Sequence, residues 1–287
     1  MSFAIFSDSS CNLPKAQLEE FQVQIISSSY EREGKLITCP PYPEDFDGHE
    51  YYNFLRNKGV VKTSLIPAAQ MEDAFRPVLA AGEDVLYITL SSGISGTVAS
   101  GLQAAQALME EFPQRQVRVL DSMGAGFGIG LLRASDDRKA GLNLDQTYAS
   151  LERDRDNLCE FFTVDDLMFL RRTGRLSGVT ATLGTMLQLK PLLRGDETGH
   201  ITVFNKVRGR KRAVETLGEL YRKRVCSPET QRVYISHGDC PEDAEQLARM
   251  VQEIAPPKEL IVCLHEPLTG AHVGPGMLAL FFLGKGR

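Results

Sequence analysis

The residues best suited to chemistry form one short turn, Ser91-Ser92-Gly93-Ile94-Ser95-Gly96-Thr97. The apolar run at residues 84–90 predicts a buried strand before this turn, and apolar residues at helical spacing predict a helix over 98–112. The turn is therefore expected at the carboxyl end of a strand, where open α/β sheets bind ligands. The unpaired N–H groups of a helix N-terminus attract anions. Because the turn contains hydroxyls and glycines but no arginine, it predicts a neutral site for an anionic head group.

A second chemistry open to this turn is nucleophilic catalysis, because Ser95, Asp121 and His272 supply the residue types of a catalytic triad. Their order along the chain is one that α/β-hydrolases use, but Thr97 stands where the nucleophile elbow G-x-S-x-G has its last glycine. A serine esterase therefore stays open as a weaker alternative. Phosphate binding of the P-loop kind is disfavoured because no lysine follows the glycines of the turn.

Dinucleotide and metal sites find little support in the sequence. The glycine-rich run at residues 124–130 follows a predicted strand, but Ile129 or Leu131 occupies the third glycine position of G-x-G-x-x-G in the two possible registers. Because glycine is costly inside a helix, we interpret this run as close packing of the backbone. The five histidines lack H-E-x-x-H and H-x-x-x-H spacing, so no metal site is predicted, and the pair His237 and Cys240 is interpreted as part of a surface turn.

Polar residues also end other predicted strands of the first half. Asp8-Ser9-Ser10 follows a strand at residues 3–6, and Thr63-Ser64 and Asp121-Ser122 each end a further strand. Strands with polar ends alternate with predicted helices, a pattern typical of a mostly parallel sheet with helices on both faces. The carboxyl ends of such strands meet at one edge, so several of these clusters are expected to converge. His272, in a predicted glycine-rich loop, is a fifth candidate.

The length of 287 residues allows two domains. We expect an N-terminal α/β domain over residues 1–157, with a mostly parallel Rossmann-like sheet, and a C-terminal α/β domain over residues 158–287. The second half predicts a strand at 160–164, a helix that Asp165 or Asp166 caps, a short helix from Thr180 to Gln188, a hairpin over 191–204, a basic helix at 210–224, an α/β unit over 233–264 and a last strand at 278–283.

Composition predicts a soluble globular protein, with 43% hydrophobic and 24% charged residues. Six scattered cysteines without a C-x-x-C pair favour a reducing compartment over a disulfide framework. A strand that begins at residue 3 leaves no room for a signal peptide, and no apolar run has the length of a membrane span. We therefore expect a cytoplasmic protein without an integral membrane segment.

Charge is unevenly distributed along the chain. The net charge is −5, yet residues 171–224 contain thirteen Lys or Arg and four Asp or Glu. This basic segment indicates an anionic or acidic partner, and solvated helix faces are the alternative explanation. Nucleic acid is disfavoured as the partner because no nucleic-acid-binding motif accompanies the charge.

Taken in order over nearly the whole chain, these motifs resemble those of the DegV family of bacterial fatty-acid-binding proteins. Each motif is weak alone, and the resemblance rests on their shared order. The motifs are Asp8-Ser9, Thr63-Ser64, the turn at 91–97, Asp121-Ser122, Asp165-Asp166-Leu167, Gly174-Arg175-Leu176-Ser177, Lys190-Pro191, Val207-Arg208, Lys211-Arg212-Ala213 and Ala271-His272-Val273-Gly274-Pro275-Gly276. The chain is also similar to the subset that serves as the lipid-carrying subunit of a bacterial fatty acid kinase.

The resemblance implies a two-domain DegV-like fold with a long-chain fatty acid enclosed between the domains, and a place in phospholipid metabolism. It implies that Thr63, Ser95 and His272 hold the carboxylate, with Ser64 and Gly96 beside them. No cofactor or metal is implied, and the chain by itself is expected to catalyse nothing. A carrier of another acidic amphiphile and the serine esterase remain the alternatives.

The resemblance also implies a protein partner, the ATP-binding subunit of a fatty acid kinase, which phosphorylates the carboxylate to an acyl phosphate. Arg175 is then expected to couple the two proteins, and Arg208, Arg210, Lys211 and Arg212 are expected to form the docking surface.

Two departures from the family pattern lie at the predicted pocket. Family members commonly have T-S-Q-P, whereas this chain has Leu65 and Ile66 between Ser64 and Pro67. Val98 replaces an aromatic residue that often follows S-G-T. We expect both changes to alter the shape of the pocket more than the chemistry of its head-group site.

Overall fold

The computed structural model describes residues 2–177 and 188–286 and divides into two compact units. The first unit comprises Met1–Phe46 and Val61–Arg155, and the second comprises Asp47–Val60 and Asp156–Arg287. The sequence predicts one boundary after residue 157, whereas the chain also contributes Asp47–Val60 to the second unit. Two tyrosines explain this placement, because the Tyr51 hydroxyl donates to the carbonyl of Pro267 and the Tyr52 hydroxyl to that of His265.

Thirteen strands and ten α-helices are numbered here in chain order among the described residues. The strands are β1 (Phe3–Asp8), β2 (Val23–Ile26), β3 (Ser29–Arg32), β4 (Lys35–Thr38), β5 (Val61–Ser64), β6 (Asp84–Thr89), β7 (Val117–Asp121), β8 (Leu158–Thr163), β9 (Leu189–Gly195), β10 (Ile201–Arg208), β11 (Arg232–His237), β12 (Glu259–Leu264) and β13 (Leu278–Leu283). The helices are α1 (Lys15–Glu20), α2 (Gly48–Arg56), α3 (Ala68–Ala80), α4 (Thr97–Glu111), α5 (Phe127–Lys139), α6 (Leu144–Asp154), α7 (Met168–Arg172), α8 (Arg210–Arg224), α9 (Pro241–Ile254) and α10 (Pro267–Val273).

The first unit contains a four-stranded parallel sheet in the order β2-β1-β6-β7. Its central strands β1 and β6 are buried along their whole length, which agrees with the apolar runs at residues 3–6 and 85–88 within them. In the core below the sheet, the ring of Phe75 on α3 packs against Phe6 and Tyr87, with centroids 4.9 and 5.6 Å apart. The predicted parallel sheet with flanking helices is confirmed here. The carboxyl ends of β1, β6 and β7 meet at one edge.

A small antiparallel sheet in the first unit, in the order β4-β3-β5, was not predicted. The strand that ends at Ser64 exists as β5, but it pairs with β3 instead of entering the parallel sheet. Each of the three strands has four residues. Apolar alternation over so few residues gives little information about which sheet a strand joins.

The second unit contains a mixed six-stranded sheet in the order β10-β9-β8-β13-β11-β12. Strands β11 and β12 are parallel, whereas the other four neighbouring pairs are antiparallel. The predicted hairpin is present as β9 and β10, and the predicted α/β class is confirmed for this unit. The core between the sheet and helices α8 and α9 includes Tyr221 and Phe282, whose rings meet edge to face with centroids 5.1 Å apart. The helix expected from Thr180 to Gln188 lies, up to residue 187, outside the described residues.

Helix α5 contains two of the glycines predicted to pack closely. A Cβ atom on Gly128 would lie 2.9 Å from the carbonyl oxygen of Cys11, so this position needs glycine. A Cβ atom on Gly130 would meet nothing within 4 Å. The prediction of close packing is therefore confirmed at Gly128 and wrong at Gly130.

Candidate functional site

At the carboxyl edge of the parallel sheet, Asp8 is a carboxylate only 2% exposed to solvent. Its Oδ2 accepts hydrogen bonds from the hydroxyls of Tyr87 at 3.1 Å and Thr89 at 2.6 Å, and its Oδ1 accepts from the N–H of Ser10 at 3.0 Å and from the Ser10 hydroxyl. These donors replace the water that the carboxylate loses on burial. Burial, together with the Asp8 charge, raises the pKa of Tyr87 well above its usual value. Asp8 thus joins β1 to β6 at this edge.

The turn predicted from residue 91 to residue 97 joins β6 to α4. Ser91 is buried, its N–H donates to the carbonyl of Gly124 at 3.0 Å, and its own carbonyl accepts the N–H groups of Ile94 and Ser95 at 3.1 and 3.0 Å. Because these bonds satisfy backbone groups within the first unit, Ser91 shapes the turn. This conformation places Ser95 just before α4.

Ser95 and Thr97 bring two hydroxyls to the N-terminus of α4. The Oγ of Ser95 lies 2.9 Å from the Oγ1 of Thr97 and accepts the Thr97 N–H at 3.3 Å. Gly96, at the cap position, has no side chain to offer the next N–H groups, and the first turn of this fifteen-residue helix contains no acidic residue. The helix end therefore offers N–H groups and a partial positive charge to an anion. The neutral head-group site expected here from the sequence stays a prediction.

Asp121, at the end of β7, supports the same turn from the neighbouring strand. Its Oδ1 accepts the N–H groups of Ser92 at 3.2 Å and Met123 at 2.9 Å. The hydrolase alternative assigns Asp121 to orienting a histidine. The carboxylate oxygen is instead bonded to the backbone of two turns, which is a structural task.

Thr63 and Ser64 occupy adjacent positions in β5, so their side chains lie on opposite faces of the small antiparallel sheet. Thr63 stands opposite the buried Tyr30, whereas Ser64 is exposed. The next residue, Leu65, reaches the turn before α4, because a Cβ atom on Gly96 would lie 3.1 Å from the Leu65 Cδ2. The structure therefore brings together two segments that the sequence assigns to the head-group site.

His272 belongs to the second unit and lies in the last turn of α10. The sequence predicts a loop at this position, and that prediction is wrong: the helix starts at Pro267, and the Glu266 carboxylate caps it by accepting backbone N–H groups. Burial, with the nearby Arg175 charge, lowers the pKa of His272 to about 4. The imidazole is therefore uncharged at neutral pH, with one ring nitrogen protonated and able to donate a hydrogen bond.

A buried polar network beside α10 was missed in the sequence. His265 is 4% exposed, and its ring nitrogens lie 2.7 Å from the hydroxyl of Ser236 and 2.7 Å from that of Thr269. Burial, reinforced by His237, lowers the pKa of His265 to about 3. A signal was present, because Ser236 lies in β11, His265 directly follows β12, and these strands are parallel neighbours.

The residues predicted to couple or dock to a kinase have different surroundings. Arg175 follows α7, close enough to His272 to affect its pKa. Arg208, at the end of β10, is exposed and donates from its Nε to the amide oxygen of Gln188 at 2.9 Å. Lys211 is exposed and forms no ion pair with a described residue.

The other two predicted docking residues are engaged within the second unit. The Nε of Arg210 lies 2.8 Å from the Asp243 carboxylate, and its side chain is only 20% exposed. Arg212 pairs with Glu219 at 2.8 Å and with Glu215 at 3.3 Å on its own helix. Their positive charges are therefore largely neutralised by neighbouring carboxylates.

Two negative findings apply to residues 2–177 and 188–286. No group of three or more His, Cys, Asp or Glu side chains is placed to hold a metal ion. No helix in this part of the chain is long and apolar enough to cross a membrane.

The family model for DegV proteins (Uncharacterised protein, DegV family) matches residues 2–285. The chain belongs to the DegV family. A DegV domain-containing protein of Clostridium perfringens is 34% identical over 288 residues, which cover 98% of this chain and 97% of that relative.

Solved structures of DegV proteins share the fold. A DegV family protein from Thermus thermophilus, described by its fatty acid binding, is 27% identical with a TM-score of 0.87, covering 99% of this chain and 100% of that one. DegV of Bacillus subtilis, described as a fatty acid binding protein, is 26% identical with a TM-score of 0.82 and the same coverage. The two-domain DegV fold that the sequence motifs imply is therefore confirmed.

Proposed function

We propose that this DegV protein binds a long-chain fatty acid whose carboxylate is held at the N-terminus of α4. The observation that carries the proposal is the turn around Ser95, which combines two hydroxyls with a helix N-terminus whose cap position, Gly96, has no side chain. Thr63 and His272 are proposed as further hydrogen-bond donors. The fatty-acid-binding relatives from Thermus thermophilus and Bacillus subtilis support the choice of ligand.

Burial of the apolar tail provides most of the binding free energy, and hydrogen bonds to the head group orient the ligand. Burial of a methylene contributes about 0.8 kcal/mol, so a sixteen-carbon tail contributes roughly 10 kcal/mol before ordering costs. A buried carboxylate needs hydrogen bonds, each contributing about 1.5–3 kcal/mol when one partner is charged. Loss of one donor should therefore weaken binding by roughly ten- to a hundredfold without abolishing it.

The test removes one donor at a time. We expect Ser95→Ala, Thr63→Ala and His272→Ala to purify with less lipid and, after delipidation, to bind a labelled fatty acid with a higher Kd. Thr38→Ala is the matched control, since this exposed threonine ends β4 of the same small sheet as Thr63. Wild-type lipid content and Kd in both the Ser95 and the His272 variants would show that the head-group assignment is wrong.

Two further measurements separate the alternatives. Mass spectrometry of lipid extracted from natively purified protein distinguishes a fatty acid from another acidic amphiphile. A p-nitrophenyl ester assay tests the serine hydrolase: turnover that disappears in Ser95→Ala would favour catalysis over transport.

We also propose that a separate ATP-dependent kinase phosphorylates the bound fatty acid. In this step a carboxylate oxygen attacks the γ-phosphorus of ATP, the new acyl phosphate bond forms, and the bond from that phosphorus to ADP breaks as ADP leaves. The hydroxyls of Ser95 and Thr97 support the proposal, because neutral donors leave the carboxylate free to react at lower cost. Arg208 and Lys211, both exposed, are proposed as the cations that meet the kinase.

Charge reversal tests the docking residues. The double variant Arg208→Glu with Lys211→Glu should keep its lipid and lose at least tenfold in kinase-dependent acyl phosphate formation, an effect that salt should reduce in the wild type. The matched control is Arg222→Glu with Lys223→Glu, at the other end of α8. Equal loss in both double variants would mean that net charge, rather than a docking site, is responsible.

A further inference from the structure

The two glycines of the loop that follows His272 stand where a side chain would not fit. Gly274 and Gly276 have φ angles of +76° and +77°, in the left-handed region that favours glycine. A Cβ atom on Gly274 would lie 2.5 Å from the Phe169 ring, and one on Gly276 would lie 2.1 Å from the Oδ2 of Asp165. The backbone of this loop therefore packs directly against Phe169, in α7, and Asp165, which precedes that helix.

Asp165 is held in place from its other side by two cations. The Nζ of Lys190, in β9, lies 2.5 Å from the Asp165 Oδ1, and the Nη1 of Arg210, the first residue of α8, lies 3.7 Å from the same oxygen. Arg210 is itself fixed by Asp243 at 2.8 Å. The carboxylate thus connects a strand and a helix to the loop after α10.

We propose that Asp165 is a positioning residue for His272: anchored by Lys190 and Arg210, it supports the Gly274–Gly276 loop and so sets the orientation of the last turn of α10. This inference rests on the proposed function, in which His272 donates to the fatty-acid carboxylate. It also gives Arg210 a different task from the one that its sequence suggests, because its guanidinium supports Asp165 instead of meeting a partner.

The surroundings of Asp165 distinguish positioning from stabilisation. Its side chain is 47% exposed, and ion pairs at such sites contribute little to folding because solvent screens them. Replacement of Asp165 should therefore have a small effect on unfolding. Its effect on ligand binding should be larger, because a hydrogen bond to a charged group depends on the alignment of its donor.

The test is a double-mutant cycle on fatty-acid affinity, using delipidated full-length protein and labelled palmitate as the probe. Asp165→Asn removes the charge while keeping the shape of the side chain. We expect it to raise the Kd about five- to tenfold in the wild-type background and less than twofold in the His272→Ala background, because the two residues act through one hydrogen bond. Glu259→Gln is the matched control, since it also removes one negative charge and one ion pair, to Arg232 at 2.9 Å.

The outcomes separate the two proposals. If His272→Ala leaves the Kd unchanged, the head-group assignment fails and the positioning role falls with it. If His272→Ala weakens binding but Asp165→Asn raises the Kd by the same factor in both backgrounds, or in neither, only the positioning role is refuted. Arg210→Gln provides a second, independent cycle should Asp165→Asn fail to fold, and it is expected to show the same dependence on His272.

Discussion

Acidification should unfold this protein through its buried histidines, and His265 gives the clearest case. Its ring is buried, with both nitrogens beside hydroxyls, and its pKa falls to about 3 from an ordinary value near 6.5. Between these two values the unfolded chain binds a proton that the folded chain does not. The free energy of unfolding therefore rises with pH in this window. The contribution of the uncharged His265 to stability is fully present above about pH 6.5 and is lost as the pH falls toward 3.

The magnitude follows from the difference between the two pKa values. Each pH unit inside the window removes about 1.4 kcal/mol per histidine, so His265 alone removes roughly 2.7 kcal/mol by pH 4.5. His272, with a pKa of about 4, adds a similar loss over much of the same range. Together the two histidines remove about 5 kcal/mol, a large part of the 5–15 kcal/mol that holds a typical domain folded.

The assay is urea unfolding at closely spaced pH values from 7.5 to 5, where most carboxylates do not titrate. Between pH 6 and pH 5, His265→Gln should reduce the slope of unfolding free energy against pH by about 1.2 kcal/mol per pH unit. Leu36→Gln is the control, because Leu36 is 73% exposed and carries no titratable group, and its slope should equal that of the wild type. An unchanged slope in His265→Gln, or an NMR titration of His265 near pH 6.5, would refute the reasoning.

Two further predictions concern stability in urea. Gly128→Ala should destabilise the first unit by about 1–3 kcal/mol, because its new Cβ atom would meet the Cys11 carbonyl oxygen. Gly130→Ala should stabilise it by about 0.5–1 kcal/mol, because a Cβ atom there would lie in open space. The opposite order of stabilities would contradict the packing of α5. Asp8→Ala should cost about 3–5 kcal/mol because buried hydroxyls and an N–H lose their acceptor, and a loss below about 1 kcal/mol would show that the carboxylate is not needed there.

The patterns of neighbouring residues predicted those strands, turns and helices that contacts close in the sequence determine. The strand, turn and helix around Ser95 were identified because an apolar run, a glycine-rich turn and helical spacing follow one another without a break. The parallel sheet followed from the repetition of that unit. Helix α8 was predicted as a basic helix with its observed bounds, Arg210–Arg224.

Long-range contacts decided the features that the sequence did not indicate. Helix α10 has only seven residues and two of them are glycine or proline, so its helical state depends on the Glu266 cap and on packing. Segment Asp47–Val60 joins the second unit through hydrogen bonds to residues more than 200 positions away. Arg210 and Lys211 are adjacent and equally basic in the sequence, and only the position of Asp165 and Asp243 distinguishes the engaged cation from the exposed one.

The Leu65 side chain fills the space that a side chain at position 96 would need. A larger residue at position 96 has room only if the side chain at position 65 moves or shrinks, and Leu65 is half-exposed and free to do either. The side chain at position 65 and the residue at the cap of α4 are therefore coupled. An alanine at position 96 should therefore be tolerated better in a Leu65→Ala background than beside the native leucine.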